Sequence, residues 1–213
     1  HFLERVDWRR DCHFHTETTI DTLDYSGSGF NTGSKLVVAA RGPAVRRLGS
    51  SVPESVPLPA GFRDPAVCLP GVMVIGGPGI APRPMLDTVG DDEVASRPDA
   101  VWRKDIERLT RSIEPGHPLW DWPLVVIVDD PCFTAASLEN LLWVTFTRSN
   151  PATDVEGCRS RVLDKHWGCE GPLVIDARLK PHHAPPVEED PAITARINAL
   201  ATSGGPLSGI LGD

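Results

Sequence analysis

Apolar residues along this chain come in short runs set between long polar, proline-rich stretches. Two periods stand out. His13 to Thr19 alternates, and its β-branched residues suit a strand. Leu36–Ala40, Val72–Ile75, Leu124–Val128 and Leu173–Ala177 are near-continuous apolar runs, too short for helices, and read as buried strands. Leu124–Val128 in particular suits a strand covered on both faces, as in a parallel α/β sheet. Helical spacing appears three times. Trp102, Ile106, Leu109 and Ile113 share one face of a helix that Pro98 opens and Pro115-Gly116 stops. Leu138, Leu141, Leu142 and Phe146 predict a helix over about Ala135–Phe146, capped at or near Thr134, with these side chains inward. Asp190-Pro191 caps a last helix with Ile193, Ile197 and Leu200 on one side. Val155–Leu163 has no clear period.

The rest reads as loop. Prolines at 43, 53, 57, 59, 65 and 70 argue against helix or central strand across residues 42–70. Residues 20–34, 78–96 and the Gly- and Ser-rich tail after Thr202 complete the irregular portion. The predicted fold is α/β: a mixed, largely parallel sheet flanked by helices, with long Pro/Gly-rich loops.

An internal echo refines this. Arg5 and Asp11 recur at the same spacing as Arg148 and Asp154. Leu23-Asp24 recurs as Leu163-Asp164, and Leu36-Val-Val-Ala-Ala-Arg41 as Leu173-Val-Ile-Asp-Ala-Arg178. The chain therefore reads as two related α/β units, the first truncated. Residues 1–49 form the remainder of the first unit and 50–70 a connector. Residues 71–202 form the second unit and 203–213 a flexible tail. A start at histidine, in the middle of the pattern, reads as a fragment.

Composition removes several function classes. The net charge of −8 lacks the basic clustering of a nucleic-acid surface. No apolar run reaches the roughly 20 residues of a membrane span. Five scattered cysteines without a C-x-x-C point to reduced thiols and a cytoplasmic setting. Candidate chemistry is sparse. Cys12, His13 and His15, or His166 with Cys169, or His182 with His183, offer metal-ligand types, but three or four convergent ligands are needed. The His182-His183 pair is also a candidate for titration near neutrality. Asp129-Asp130, at the end of a parallel strand, can bind a cation or cap the next helix. Gly76–Gly79 and Gly27–Gly29 resemble phosphate loops in composition alone. Cys132 and Cys169 have no evident base partner, which leaves a thiol nucleophile unsupported.

Val-Ile-Val-Asp-Asp (126–130), Leu-Leu-Trp-Val-Thr-Phe-Thr-Arg-Ser-Asn-Pro (141–151), Asp154, Lys-His-Trp-Gly-Cys (165–169) and Val-Ile-Asp-Ala-Arg-Leu-Lys-Pro-His-His-Ala-Pro (174–185) together resemble the C-terminal region of UbiD-type decarboxylases. Arg5–Asp11, Ile20–Tyr25 and Gly33–Val38 resemble the same region, so the chain departs from the common pattern by carrying it twice. The resemblance implies reversible, non-oxidative decarboxylation of an aromatic or α,β-unsaturated acid by a homo-oligomer. It implies prenylated FMN with Mn or Mg and K ions, held by a preceding N-terminal domain that also carries a Glu-Arg-Glu acid/base network. No counterpart of that network is found here, so no catalytic, cofactor-binding or metal residue is expected in this chain, which alone would be inactive. The implied roles are oligomer contact and active-site closure, with Asp21, Leu23 and Tyr25 as the lid over the substrate. The competing readings are a non-catalytic α/β assembly or binding module of a carboxylase complex and a metal-dependent hydrolase.

Overall fold

A computed structural model describes residues 2–24, 26, 27, 29–81, 101–183, 189–202 and 204–209. The chain divides after His183 into two compact units. In the first, β1 (Cys12–Thr19) and β2 (Thr32–Val38) form an antiparallel pair. A five-stranded sheet follows, built from β3 (Arg63–Leu69), β4 (Val72–Gly76), β5 (Leu124–Val128), β6 (Val155–Gly157) and β9 (Leu173–Asp176) in the order β3-β4-β5-β9-β6. The central strands β4, β5 and β9 are parallel, and the edge strands β3 and β6 run antiparallel to them. A small hairpin joins β7 (Arg161–Leu163) to β8 (His166–Gly168). The helices are α1 (Val101–Ser112), α2 (Pro131–Ala135), α3 (Leu138–Thr147), α4 (Pro151–Asp154) and, in the second unit, α5 (Pro191–Ala201).

The sheet is mixed and flanked by helices, as the hydrophobic pattern predicts. Its centre obeys the two-residue period on both faces. Met73, Ile75, Val125 and Ile127 pack under Ile106, Leu109 and Ile113 of the α1 segment. Val72, Val74, Val126 and Val128 pack on Leu141 and Val144 of α3. Each of these side chains is nearly or fully buried, and such burial stabilises by about 1.5–3 kcal/mol per residue. A third cluster joins the N-terminal segment to the sheet: Val6, Trp8 and Cys12 with Cys169 and Leu173. Trp8 fixes that contact by donating its indole N–H to the Pro123 carbonyl at 2.6 Å.

Several expectations are corrected. The 42–70 stretch contains β3 despite Pro65. This strand lies at the sheet edge, and its pairing with β4 shifts between Arg63 and Ala66, which accommodates the missing proline N–H. The run Leu36–Ala40 supplies a half-exposed strand, since β2 pairs with β1 alone and Val37 is exposed. The helix predicted over 135–146 is two helices. Ser137 is extended (φ −155°, ψ 162°) and caps α3 through the Asn140 N–H, while Asp130, not Thr134, caps α2. Of the four side chains placed inward, only Leu141 is buried; Leu138, Leu142 and Phe146 face solvent. The unassigned stretch 155–163 holds β6 and β7. Asp190 caps α5 as expected, and its Ile193, Ile197 and Leu200 are exposed. Pro98 and most of the 78–96 loop lie outside the described residues.

The echoed segments share local geometry. The Asp7 N–H donates to the Asp11 carboxylate at 2.8 Å, and the Asn150 N–H to the Asp154 carboxylate at 2.8 Å. In return, the Asp11 and Asp154 N–H groups donate to the Asp7 and Asn150 carbonyls at 2.9 and 2.8 Å. Each turn leads into a strand. In β1–β2, Cys12 stands opposite Val38 and Phe14 opposite Leu36. In β6–β9, Val155 stands opposite Ile175 and Gly157 opposite Leu173. With Asp11 aligned to Asp154 and Leu36 to Leu173, the two registers coincide.

Candidate functional site

Two places gather candidate side chains. The first is the loop from Ile20 to Asn31 joining β1 to β2. Its base is closed by the Ile20 N–H donating to the Asn31 carbonyl at 3.3 Å. Asp21 accepts the Leu23 N–H at 2.8 Å, and Asp24 accepts the Ser26 N–H and hydroxyl at 2.9 and 2.6 Å. These short side-chain-to-backbone bonds fold the loop locally without a sheet partner. Gly27 is required for closure, because a Cβ there would sit 2.4 Å from both Ile20 Cδ1 and the Thr32 carbonyl oxygen. The loop then presents Leu23, 78% exposed, and Phe30, 80% exposed. Asp21 and Leu23 thus lie together, the carboxylate holding the turn that displays the leucine. Tyr25 lies outside the described residues. Phe30 is a loop residue that sequence reasoning missed; an aromatic between glycine and asparagine in a polar loop is its only signal.

The second place lies where β4, β5 and β9 end. Arg178 is fully buried and chelates Asp176 through Nε (2.9 Å) and Nη2 (2.7 Å). Its Nη1 donates to Asp105 at 3.0 Å and to the Pro78 carbonyl at 2.6 Å. Burial opposes the guanidinium's charge, yet Asp176 and Asp105 outweigh it and hold the arginine above its ordinary pKa. Lys180, also buried, reaches Asp154 at 3.3 Å and donates to the carbonyls of Arg148 and Asp176 at 2.9 and 2.8 Å. Burial pushes the Asp154 carboxyl up, with Lys180 opposing it in part. Asn150 accepts from the Ser34 hydroxyl, and Ser34 in turn accepts the Ala152 N–H at 2.7 Å, so the network reaches β2. Sequence reasoning passed over these groups as site residues. Their signal is Asp and Arg inside the apolar run Val-Ile-Asp-Ala-Arg.

The remaining candidates resolve into structural duties. Asp129 accepts from Arg148 at 3.1 Å and from the Leu179 N–H at 2.8 Å, and Asp130 caps α2. His13 and His15 are exposed on one face of β1, and the His13 ring lies 5.6 Å from that of His166. Among the described residues no three His, Cys, Asp or Glu side chains are placed to hold a metal ion. His183 stacks edge-on against His182 at 4.5 Å. Burial, then Lys180, His182 and Arg148, lower the His183 pKa to about 2, so it stays neutral and does not titrate near neutrality. Burial raises the thiols of Cys12 and Cys158 to about 12 and pushes Cys169 up as well, which leaves them unreactive. The Gly77 and Gly29 N–H groups donate to the Val128 and Thr32 carbonyls, so these two donors are not open to a phosphate. The buried cations and carboxylates at the strand ends are spent on one another, which leaves no open ligand set for the cofactor's ions among the described residues.

Residues 1–40 match the family model of the 3-octaprenyl-4-hydroxybenzoate carboxy-lyase C-terminal domain. A Chlamydia pneumoniae protein whose name makes it a subunit of 4-hydroxybenzoate decarboxylase is 31% identical over 197 residues, 92% of this chain and 29% of that protein. These two likenesses support a UbiD-type C-terminal region, with residues 1–40 matching that domain directly. An uncharacterized protein of Chlamydia trachomatis serovar D is 34% identical over 191 residues, 89% of this chain and 28% of its own length. Another from Chlamydia caviae is 30% identical over 201 residues, 92% of this chain and 29% of its own length. The UbiD-type chain thus spans under a third of these relatives, and the likeness runs well beyond the 40 residues of the family model. No solved structure matches. No helix among the described residues is long and apolar enough to cross a membrane.

Proposed function

We propose that this chain is the closing and assembly part of a UbiD-like carboxy-lyase acting reversibly and non-oxidatively on an aromatic or α,β-unsaturated acid. A separate N-terminal domain supplies prenylated FMN, its metal ions and the acid/base groups. The reading rests on the Ile20–Asn31 loop, a pinned turn that offers large apolar side chains to solvent within the segment matching the family model. Such a loop suits a cover that excludes water from a reacting carboxylate. In this role Leu23 contacts the substrate, Asp21 positions it, and Phe30 lies on the same loop.

The shared turn geometry and strand register support two related units with divided labour. The first, residues 1–49, carries the lid, and the second is the scaffold. The test is Leu23→Ala in the full-length, cofactor-loaded enzyme, measured across acids of graded size. The expected result is at least about a fivefold change in the kcat/KM ratio between large and small acids, roughly the loss of one apolar contact. Folding stability should be unchanged, because Leu23 is exposed. An unchanged ratio across the panel overturns the lid role.

A further inference from the structure

Beside the N-terminal turn the surface opens into a cleft that neither the loop carrying Leu23 nor the buried ion pairs use. Two adjoining cavities of about 410 and 360 Å³ share Trp8, Val45, Arg46 and Glu170 as a common wall. The larger continues over Trp120 and Trp122 to Arg47 and Asp121. Three of the chain's six tryptophans therefore line one hollow, with two consecutive arginines beside them.

The aromatic floor is held in place. Trp8 and Trp122 are 4% and 6% exposed and form the back of the cleft. Trp8 is pinned by its bond to the Pro123 carbonyl. Trp122 and Trp120 lie directly on glycine backbone. A Cβ at Gly49 would sit 2.8 Å from Trp122 Cζ2, and one at Gly171 would sit 2.8 Å from Trp120 Cζ3. Trp120 is only half-buried, and its indole N–H has no hydrogen-bond partner among the described residues. A ring already seated on backbone loses little freedom when a ligand covers its remaining surface.

The charges around the floor sort into spent and open groups. Arg9 is taken by Asp7 through two bonds of 2.8 Å. Glu170 is shared by Arg159 and Arg161, each at 3.5 Å. Arg46 spends Nη1 on the Leu3 and Val6 carbonyls at 2.7 and 2.6 Å, and its charge stays at the wall. Arg47 is exposed, and its guanidinium makes no hydrogen bond or ion pair among the described residues. Asp121 lines the same cavity and acts on Arg46. Arg46 and Arg47 against Asp121 leave one net positive charge, on a chain whose net charge is −8. Its open donors are Arg47 and the Trp120 N–H.

We propose that this cleft binds a small aromatic acid carrying one negative charge, its ring against Trp120 and its carboxylate on Arg47. Stacking recognises the ring and the planar guanidinium fork recognises the carboxylate. Asp121 and Glu170 disfavour a second negative charge, which argues against a phosphate ester. The site lies before β1, whereas the Ile20–Asn31 loop follows that strand, so it is separate from the proposed lid and does not rest on the decarboxylase reading.

The test is a fluorine NMR titration of 4-fluorobenzoate with the full-length protein and its variants. The expected Kd is on the order of 1 mM, in keeping with a ligand of about ten heavy atoms. Arg47→Ala should weaken binding about tenfold by removing a charge-assisted hydrogen bond, and Arg47→Lys by less. Arg47→Ala should melt with wild type, because the side chain is exposed and unpartnered. Trp120→Leu should weaken binding about fivefold. Cyclohexanecarboxylate has the same charge without the aromatic ring, and should displace the probe about fivefold less well than benzoate. No binding at about ten times the expected Kd, an affinity unmoved by Arg47→Ala, or equal displacement by the two acids overturns the proposal. An affinity that follows Leu23→Ala instead puts the acid under the lid, which overturns this site and supports the closing role. An affinity that follows Arg47→Ala, with Leu23→Ala silent in the kinetics, removes the lid and leaves this site standing.

Discussion

Replacing Lys180 by methionine should test how the ends of α3 and β9 are held together. The ammonium is buried, lies 3.3 Å from Asp154, and donates to carbonyls at the ends of α3 and β9. Methionine keeps the volume and removes the charge. Asp154 is then an unpaired carboxylate at 1% exposure, and breaking a buried pair this way costs about 3–5 kcal/mol. Whole domains are stable by about 5–15 kcal/mol, so the variant should fold but with a much lower urea midpoint, read by tryptophan fluorescence. The pH dependence carries a sign. Burial already raises the Asp154 pKa above its unfolded value, and losing Lys180 raises it further. The folded variant therefore binds a proton more readily than the unfolded chain. The deficit should be full at pH values above the raised pKa and shrink as pH falls through it toward about 4, the unfolded value. Adding Asp154→Leu should recover much of the loss at neutral pH. A deficit under about 1 kcal/mol, independent of pH, would mean that water reaches the pair and would refute the argument.

Two further outcomes follow from packing and burial. Gly77→Ala would place a Cβ 2.6 Å from both Arg178 Cδ and Ile127 Cγ2, and should lower stability by about 1–3 kcal/mol in a thermal melt. With a thiol reagent in native buffer, exposed Cys132 should react at once, while Cys12, Cys158 and Cys169 react only on denaturation.

What the sequence made legible follows from burial symmetry. β5 was readable because both its faces are covered, so five aliphatics in a row have one interpretation. The α1 segment was readable because all four of its spaced residues, Trp102, Ile106, Leu109 and Ile113, are buried on one side of the helix. The α3 face was misread because helical periodicity reports an apolar stripe without saying what covers it. Leu141 and Val144 meet the sheet, whereas Leu138, Leu142 and Phe146 point away. The β7–β8 hairpin was missed because its turn uses Asp164 and Lys165 at φ 48° and 66°. This left-handed pair usually announces itself with asparagine and glycine. Leu23 was singled out through family likeness alone, since nothing in a polar loop distinguishes a displayed leucine from a stray one.

The charged groups at the ends of β4, β5 and β9 look at first like chemistry, but their burial decides otherwise. The Arg178 and Lys180 side chains are wholly closed off, and their donors are spent on Asp176, Asp105, Asp154 and backbone carbonyls. A substrate cannot reach them without unfolding the strand ends they tie. The aligned positions in residues 5–43 differ. Where the later segment has Asp176 and Lys180, the earlier one has Ala39 and Pro43, and Arg46 instead ties the N-terminal turn by donating to the Leu3 and Val6 carbonyls at 2.7 and 2.6 Å. Strands β1 and β2 pair only with each other, yet Val6, Trp8 and Cys12 are buried against Cys169 and Leu173, so this stretch is anchored at its base while the Ile20–Asn31 loop displays Leu23 to solvent.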